Sequence, residues 1–536
     1  MGSTHEVVNQ PPPLGGHDVA ADPALLEAVE REGAGWAADE LHRLGKLAGQ
    51  EDPQRWAEDA NRYEPRLVTH DRYGHRVDEV EFHPAWHRLM EVAVTHGLAG
   101  AAWGEDRAGA HVARAAKLHV WSQVEAGHTC PVSMTYAVVP ALRHAPELAK
   151  RYEPSLTSRV YDPGLRTPAT KRGLLAGMGM TEKQGGSDVR ANSTVATEQP
   201  DGTWRLRGHK WFTSAPMCDL FLVLAQAPEG LSCFLVPRVL PDGSRNPFRI
   251  QRLKDKLGNR SNASSEPEFD DTTGWLVGAP GQGVRTIIEM VSMTRLDCVT
   301  GSASGMRAAL VQAVHHARHR SAFGGPLIGK PLMRAVLADL AVETEAATAL
   351  ALRLAGAVDR REYAFGRLAV AIGKYWVCKR QPAVVGEALE CLGGNGYVEE
   401  SGLPRLYRDA PLNSIWEGSG NVQALDVLRT LRRDPASWAA YRAEVEAAAG
   451  ADSRLDAAFR ELDTIGRSED QARRLVERMA LVLQGSLLVR YAPPAVADAF
   501  CASRLGGAGG ATFGTLPAGT DTGALIERAL PGWDRP

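Results

Sequence analysis

The texture of this chain changes twice, and those two changes constrain its fold more than any single motif. Between about Gly173 and Gly283 the sequence breaks into short β-type runs, STVATEQ, TWRLRGHKWFTS, LFLVLAQA, LSCFLVPRV and FRIQRLKDKLG. Polar turns separate them, such as the PDG of Pro200 to Gly202 and of Pro241 to Gly243. On either side apolar residues recur every three or four positions, as in PALLEAVEREGAGWAADELHRLGKLAG before and PLMRAVLADLAVETEAATALALRLAGAV after. An α+β chain is expected: a flexible N-terminus at 1–22, a helical domain at 23–172 and a central β domain at 173–283. A helical bundle at 284–434 follows, whose alanine and leucine content suits antiparallel packing, and then a further helical extension at 435–536 that ends in a loose glycine-rich stretch. Within the first helical part, WSQVEAGHTCPVSMTYAVVPAL is apolar on most faces and reads as a buried helix pair.

At 536 residues the chain exceeds what one core can organise. A net charge of −3 gives no general attraction to nucleic acid or an anionic membrane, so any polyanion site must be a local patch. Seven cysteines without a CxxC pair are a poor disulfide framework and fit a reducing cytoplasm. The opening MGSTHEVVNQPPPLGGHDVAADP is polar and proline-rich, and no later stretch approaches the length of a transmembrane helix. A soluble intracellular protein with a loose first twenty residues is expected.

Three segments carry candidate chemistry. In IWEGSGNVQAL, Glu417 sits beside a helix start where backbone N–H groups are still unpaired, flanked by glycines that allow close backbone approach to a ligand. In MTEKQGGSDV, Thr181 and Ser187 flank a double glycine whose amides could face a ligand. In HKWFTSA, an indole precedes Thr213 and Ser214, which suits stacking on an aromatic heterocycle and hydrogen bonding to its edge. Each alone is more often a turn or a helix start. His128 with Cys130, and His315 with His319, lack further ligands at metal-binding spacing and read as a core pair and a solvated basic face.

Taken together and in this order, the segments EAGHTCPVSMTYA, GMGMTEKQGGSDV, KWFTS, LKDKLGNRSNAS, MTRLDC, LGGNGYVEESGLPRLYRD and SIWEGSGN resemble the acyl-CoA dehydrogenase flavoprotein family. With the C-terminal extension, they look like its AidB branch, the alkylation-response proteins. The resemblance covers roughly Val120 to Asp434 and implies the family fold, FAD and a homotetramer. It implies cofactor contacts from Met178, Met180, Thr181, Gly186, Ser187, Trp211, Phe212, Thr213 and Ser214, and from the loop residues Ile415, Trp416, Gly418, Ser419, Gly420 and Asn421. Arg320 and Phe323 match the family's R-x-x-F pattern, which reaches the pyrophosphate of a neighbouring subunit's FAD; a guanidinium fork suits that task. Glu417 falls at the family's base position, and no acid stands at the alternative position near Thr294 and Arg295. Glu390 stands where the family commonly has glutamine before the GGNG turn.

Two functional readings follow from the resemblance. The first is α,β-dehydrogenation of an acyl-CoA, with an external electron-transferring flavoprotein as acceptor. The second is a DNA-binding protein of the response to alkylation damage, with weak or vestigial dehydrogenation. The extension is arginine-rich but roughly neutral, so duplex binding would need arginines gathered on one face. Arg432, Arg433, Arg473, Arg474 and Arg478 are the candidates.

Overall fold

The computed structural model describes residues 4–530. Its chain divides into two compact units, Asp52–Asp297 and the combination of Met1–Glu51 with Cys298–Pro536.

In the first unit, a hairpin of Arg66–His70 and Arg76–Glu81 interrupts the helices. The run expected as a buried helix pair holds one buried helix, Thr129–Leu142, because turns occupy its first residues; the buried helix Ala110–Trp121 precedes it and ends at Trp121. The Glu125 carboxylate joins them by accepting from the backbone N–H groups of Gly127 and His128 and from the His128 ring, at 2.8, 2.8 and 2.9 Å. His128 is therefore a core residue held by Glu125 through Nδ1, while its buried Nε2 has no hydrogen-bond partner among the described residues.

Among the described residues, eight strands form the main sheet of this unit. Leu220–Ala227 pairs in parallel with Ala176–Gly179 and antiparallel with Gly230–Pro237, and its residues are buried almost throughout. That is why it reads as a continuous apolar run. The organising strand is Ser264–Val277, which pairs antiparallel with Trp204–His209, Thr213–Ser214, Gly230–Pro237 and Phe248–Leu253. It is absent from the runs picked out in the sequence because SSEPEFDD carries a proline and four acids. Cross-strand cations offset those charges: Lys254 lies 2.6 Å from Glu266, and Arg207 and Arg249 lie 2.9 and 3.0 Å from Asp270.

The second unit is helical. Pro331–Asp359 and Tyr363–Cys391 are its central helices, buried along most of their lengths. Small side chains suit that position, since alanine costs no side-chain entropy and lets helices approach closely. The helices Pro23–Arg31 and Ala38–Ala48 belong to this unit, although they open the sequence. The extension packs into the same core: the buried Tyr441 hydroxyl donates to the Met479 carbonyl at 2.8 Å, and Arg353 lies 2.6 Å from Glu444.

Two expectations of looseness are corrected. The glycine-rich stretch after Leu505 is tied down, because the Gly514 N–H donates to Asp339 at 2.9 Å and Arg380 lies 4.8 Å from the centre of the Phe513 ring. Arg504 joins it by pairing with Asp339 and, at 3.2 Å, with Glu343. Near the N-terminus, the Asn9 amide donates to the Ser321 carbonyl at 2.8 Å and accepts from the Ser321 N–H at 2.7 Å. Polar composition signals looseness only when the backbone finds no partners, and here it finds them.

Candidate active site

In the Asp52–Asp297 unit, two of the expected cofactor segments lie side by side. The Trp211 N–H donates to the Thr181 carbonyl at 2.8 Å, and the Lys183 N–H donates to the His209 ring at 3.0 Å. A buried ion pair lies beneath them, Lys210 to Glu182 at 2.7 Å. Glu182 also accepts from the Ser193 N–H and hydroxyl and the Thr194 N–H, and Lys210 also donates to the Leu224 carbonyl. Burial alone would raise the Glu182 carboxyl. The Lys210 ammonium and these hydrogen bonds outweigh that and hold it well below the usual carboxylate range.

The segment continues into Thr213–Ser214, where the Ser265 hydroxyl donates to the Thr213 carbonyl at 2.8 Å. The Thr213 hydroxyl is buried and has no hydrogen-bond partner among the described residues. Gly186 is required where it stands, since a Cβ there would lie 2.5 Å from the Thr181 hydroxyl oxygen. Met178 is buried, Met180 and Trp211 are half-buried, and Phe212 and Ser187 are exposed. The Lys254 ammonium stands 3.2 Å from the centre of the Trp211 ring.

In the other unit, Glu417 has φ +58°, a left-handed conformation that a residue with a Cβ rarely adopts, and Gly418 follows at φ +94°. The loop is tied on both sides. The Trp416 indole donates to Asn413 at 2.9 Å, whose amide donates to the Ser302 hydroxyl at 3.1 Å. The buried Lys374 ammonium donates to the carbonyls of Trp416 and Gly418, both at 2.7 Å. The buried Gln423 amide donates to the carbonyls of Glu417 and Gly418 at 3.0 and 2.9 Å. Gly420 starts the helix Gly420–Arg433 against Lys379, whose Cε would lie 2.6 Å from a Cβ placed there. Lys374 and Gln423 are absent from the candidates drawn from the sequence, though a lysine inside the apolar run AVAIGKYWV is the available signal.

Arg320 and Phe323 lie elsewhere in this unit, on a short hairpin, where Arg320 donates to the Asn9 carbonyl at 2.5 Å. Phe323 is 94% exposed at φ +51°. Of the candidate arginines, Arg473 donates to the Asn421 side chain at 2.8 Å, so the extension reaches the start of the Glu417 helix. Arg474 and Arg478 share Glu461, at 3.5 and 2.8 Å. Arg432 and Arg433 are exposed in the last turn of the helix Gly420–Arg433.

Three family models match successive parts of the chain: the adaptive response protein AidB N-terminal domain over residues 9–163, the acyl-CoA dehydrogenase middle domain over 177–272, and its C-terminal domain over 281–432. The putative acyl-CoA dehydrogenase AidB of Escherichia coli (strain K12) is 48% identical over 516 residues, covering 95% of both chains. The chain belongs to the acyl-CoA dehydrogenase family, in its AidB branch. Two solved structures share the fold. Caenorhabditis elegans ACDH-11 in complex with C11-CoA has a TM-score of 0.85 at 26% identity, with 99% of this chain and 93% of that one covered. The apo form of Bd2924 has a TM-score of 0.82 at 29% identity, covering 90% and 99%. Family membership makes the chain an FAD-dependent oxidoreductase. The residues present suit that cofactor: an orphaned buried hydroxyl at Thr213 needs a polar partner, and the half-buried Trp211 offers an aromatic face.

Proposed function

We propose that this protein introduces a double bond between the α and β carbons of an acyl-CoA, with Glu417 as the base. The observation that carries the assignment is the left-handed backbone of Glu417, a strain that persists only where the surroundings over-determine it and that concentrates at functional positions. The Glu417 carboxylate takes the α proton, while FAD, when bound, supplies the acceptor for the hydride that leaves the β carbon. Thr181, Gly186, Ser187, Trp211, Thr213 and Ser214 are assigned to hold the cofactor's ring and ribityl chain, Asn421 its adenosine side, and Arg320 with Phe323 the pyrophosphate of a neighbouring subunit. The exposure of Phe323, Leu332 and Tyr397 supports burial in an assembly, for which the reading is a homotetramer. An acyl-CoA is the substrate class in keeping with the C11-CoA held by the nematode relative. The electron acceptor in this reading is an external electron-transferring flavoprotein. No described helix is long and apolar enough to cross a membrane, and a cytoplasmic site of action completes the reading.

The test is anaerobic mixing of the yellow protein with a panel of acyl-CoAs while flavin bleaching is followed. Glu417→Gln keeps about one FAD per chain and loses about a hundredfold or more of the bleaching rate, because the amide holds the shape but cannot take a proton. Undiminished bleaching in that variant removes Glu417 as base.

Duplex DNA binding is a second reading. It is favoured by Arg432 and Arg433, which are exposed and have no ion-pair partner among the described residues. It places the charge at the C-terminal end of the helix Gly420–Arg433, away from Arg473 at its start, rather than on the extension as a whole.

A further inference from the structure

We infer that Lys374 and Gln423 are positioning residues that hold the Glu417 loop in its reactive shape from beneath. Three consecutive carbonyls, those of Trp416, Glu417 and Gly418, receive four hydrogen bonds from these two side chains. Both donors are buried, Lys374 at 1% exposure and Gln423 at 0%. They come from different helices, Tyr363–Cys391 and Gly420–Arg433, so the loop is gripped from two directions.

The chemistry of the donors is unusual for a structural tie. A buried ammonium ordinarily faces a carboxylate, but the partners of Lys374 are the two main-chain oxygens on either side of Glu417. Lys374 fixes the peptide plane before Glu417 through the Trp416 carbonyl, and Gln423 fixes the plane after it through the Glu417 carbonyl. Those planes determine where its Cα–Cβ bond points. A left-handed Glu417 followed by a left-handed Gly418 cannot rely on backbone preference to keep this geometry, so it needs fixed donors. Each acts through the backbone that carries the Glu417 carboxylate. Lys379 and Tyr375, one turn along and beside Lys374, close against Gly420 and leave the loop little room to relax.

This inference rests on Glu417 being the base, and the experiment separates the two. Lys374→Met and Gln423→Leu are compared with wild type and with Glu417→Gln in the FAD-bound protein. Three quantities are measured: the rate of flavin bleaching by the best acyl-CoA, the Kd of that acyl-CoA, and hydrogen exchange of the backbone amides from Ile415 to Asn421. Expected for both variants is bleaching slowed by about ten- to a hundredfold, the cost of a misplaced reacting group, with Kd within about threefold of wild type. Amide exchange in the loop rises about tenfold or more. Bleaching at the wild-type rate, a loss that only tracks Kd or FAD content, or unchanged loop exchange overturns the inference. If Lys374→Met fails to fold, Gln423→Leu alone decides by the same outcomes. If Glu417→Gln bleaches normally, the base assignment falls, while loop exchange in the other two variants still decides whether they hold the loop.

Discussion

Removing one side of the buried Lys210–Glu182 pair tests whether it holds together the two segments proposed to face the flavin. In Lys210→Met the stem packing is kept, but the ammonium 2.7 Å from Glu182 and 2.8 Å from the Leu224 carbonyl is gone. Glu182 keeps its donors from Ser193, Thr194 and Gln184, so it is not stripped of partners. Breaking a buried pair on one side costs about 3–5 kcal/mol, and the remaining donors put this case near 3. For a unit of this size that is about 10 °C in Tm, with a matching fall in the urea midpoint. Lys210→Met with Glu182→Leu removes both charges and should cost less than the two single changes together, by about 1–3 kcal/mol of coupling. Thermal and urea unfolding of the four proteins, with FAD retention followed in parallel, makes the measurement. Additive single and double losses, or a Lys210→Met loss under about 1 kcal/mol, refute the argument.

Two further outcomes are expected. Burial, reinforced by the charges of Arg114 and Arg143, lowers His111 from 6.5 to about 4 beside the Tyr136 hydroxyl. The unfolded chain therefore takes up the proton first as pH falls, so the stability His111 contributes is full above pH 6.5 and is lost between 6.5 and about 4, to a total of about 3 kcal/mol. Urea midpoints from pH 7.5 to 4.5 should fall more shallowly in His111→Gln than in wild type, and parallel curves contradict the assignment. For DNA, the full chain should retard duplex at low salt and release it steeply as salt rises, and reversing both Arg432 and Arg433 to glutamate should abolish the shift. Retardation that survives the reversal places the contact elsewhere, and none at low salt ends the reading. Truncation near Asp434 is a poor substitute, because it strips Tyr441, Arg490 and Arg504 from the helical core.

The two segments proposed to hold the flavin stand out in the sequence because their chemistry is compressed into runs of seven to ten residues, MTEKQGGSDV and HKWFTSA, and the structure sets them side by side. So do the apolar strands and the buried helix Thr129–Leu142, whose periodicity is local. What escaped was pairing over distance. Glu182 stands inside a quoted motif, yet its partner Lys210 is 28 residues on, and Lys374 meets Gly418 across 44. Spacing along a chain does not encode such meetings; packing does. The strand Ser264–Val277 was hidden for a related reason, its acids being acceptable only because cations on neighbouring strands face them.

The clasp between Asn9 and the Ser321 backbone makes the start of the sequence a handle on the arginine proposed to meet phosphate. Asn9 accepts from Arg320 across 311 residues, and Pro12 meets the His315 ring nearby. On that proposal a bulky fusion joined just upstream, or a protease that nicks after Asn9, would act on cofactor capture rather than on an idle tail. Preparations that differ only in how they begin should differ in how much flavin they carry.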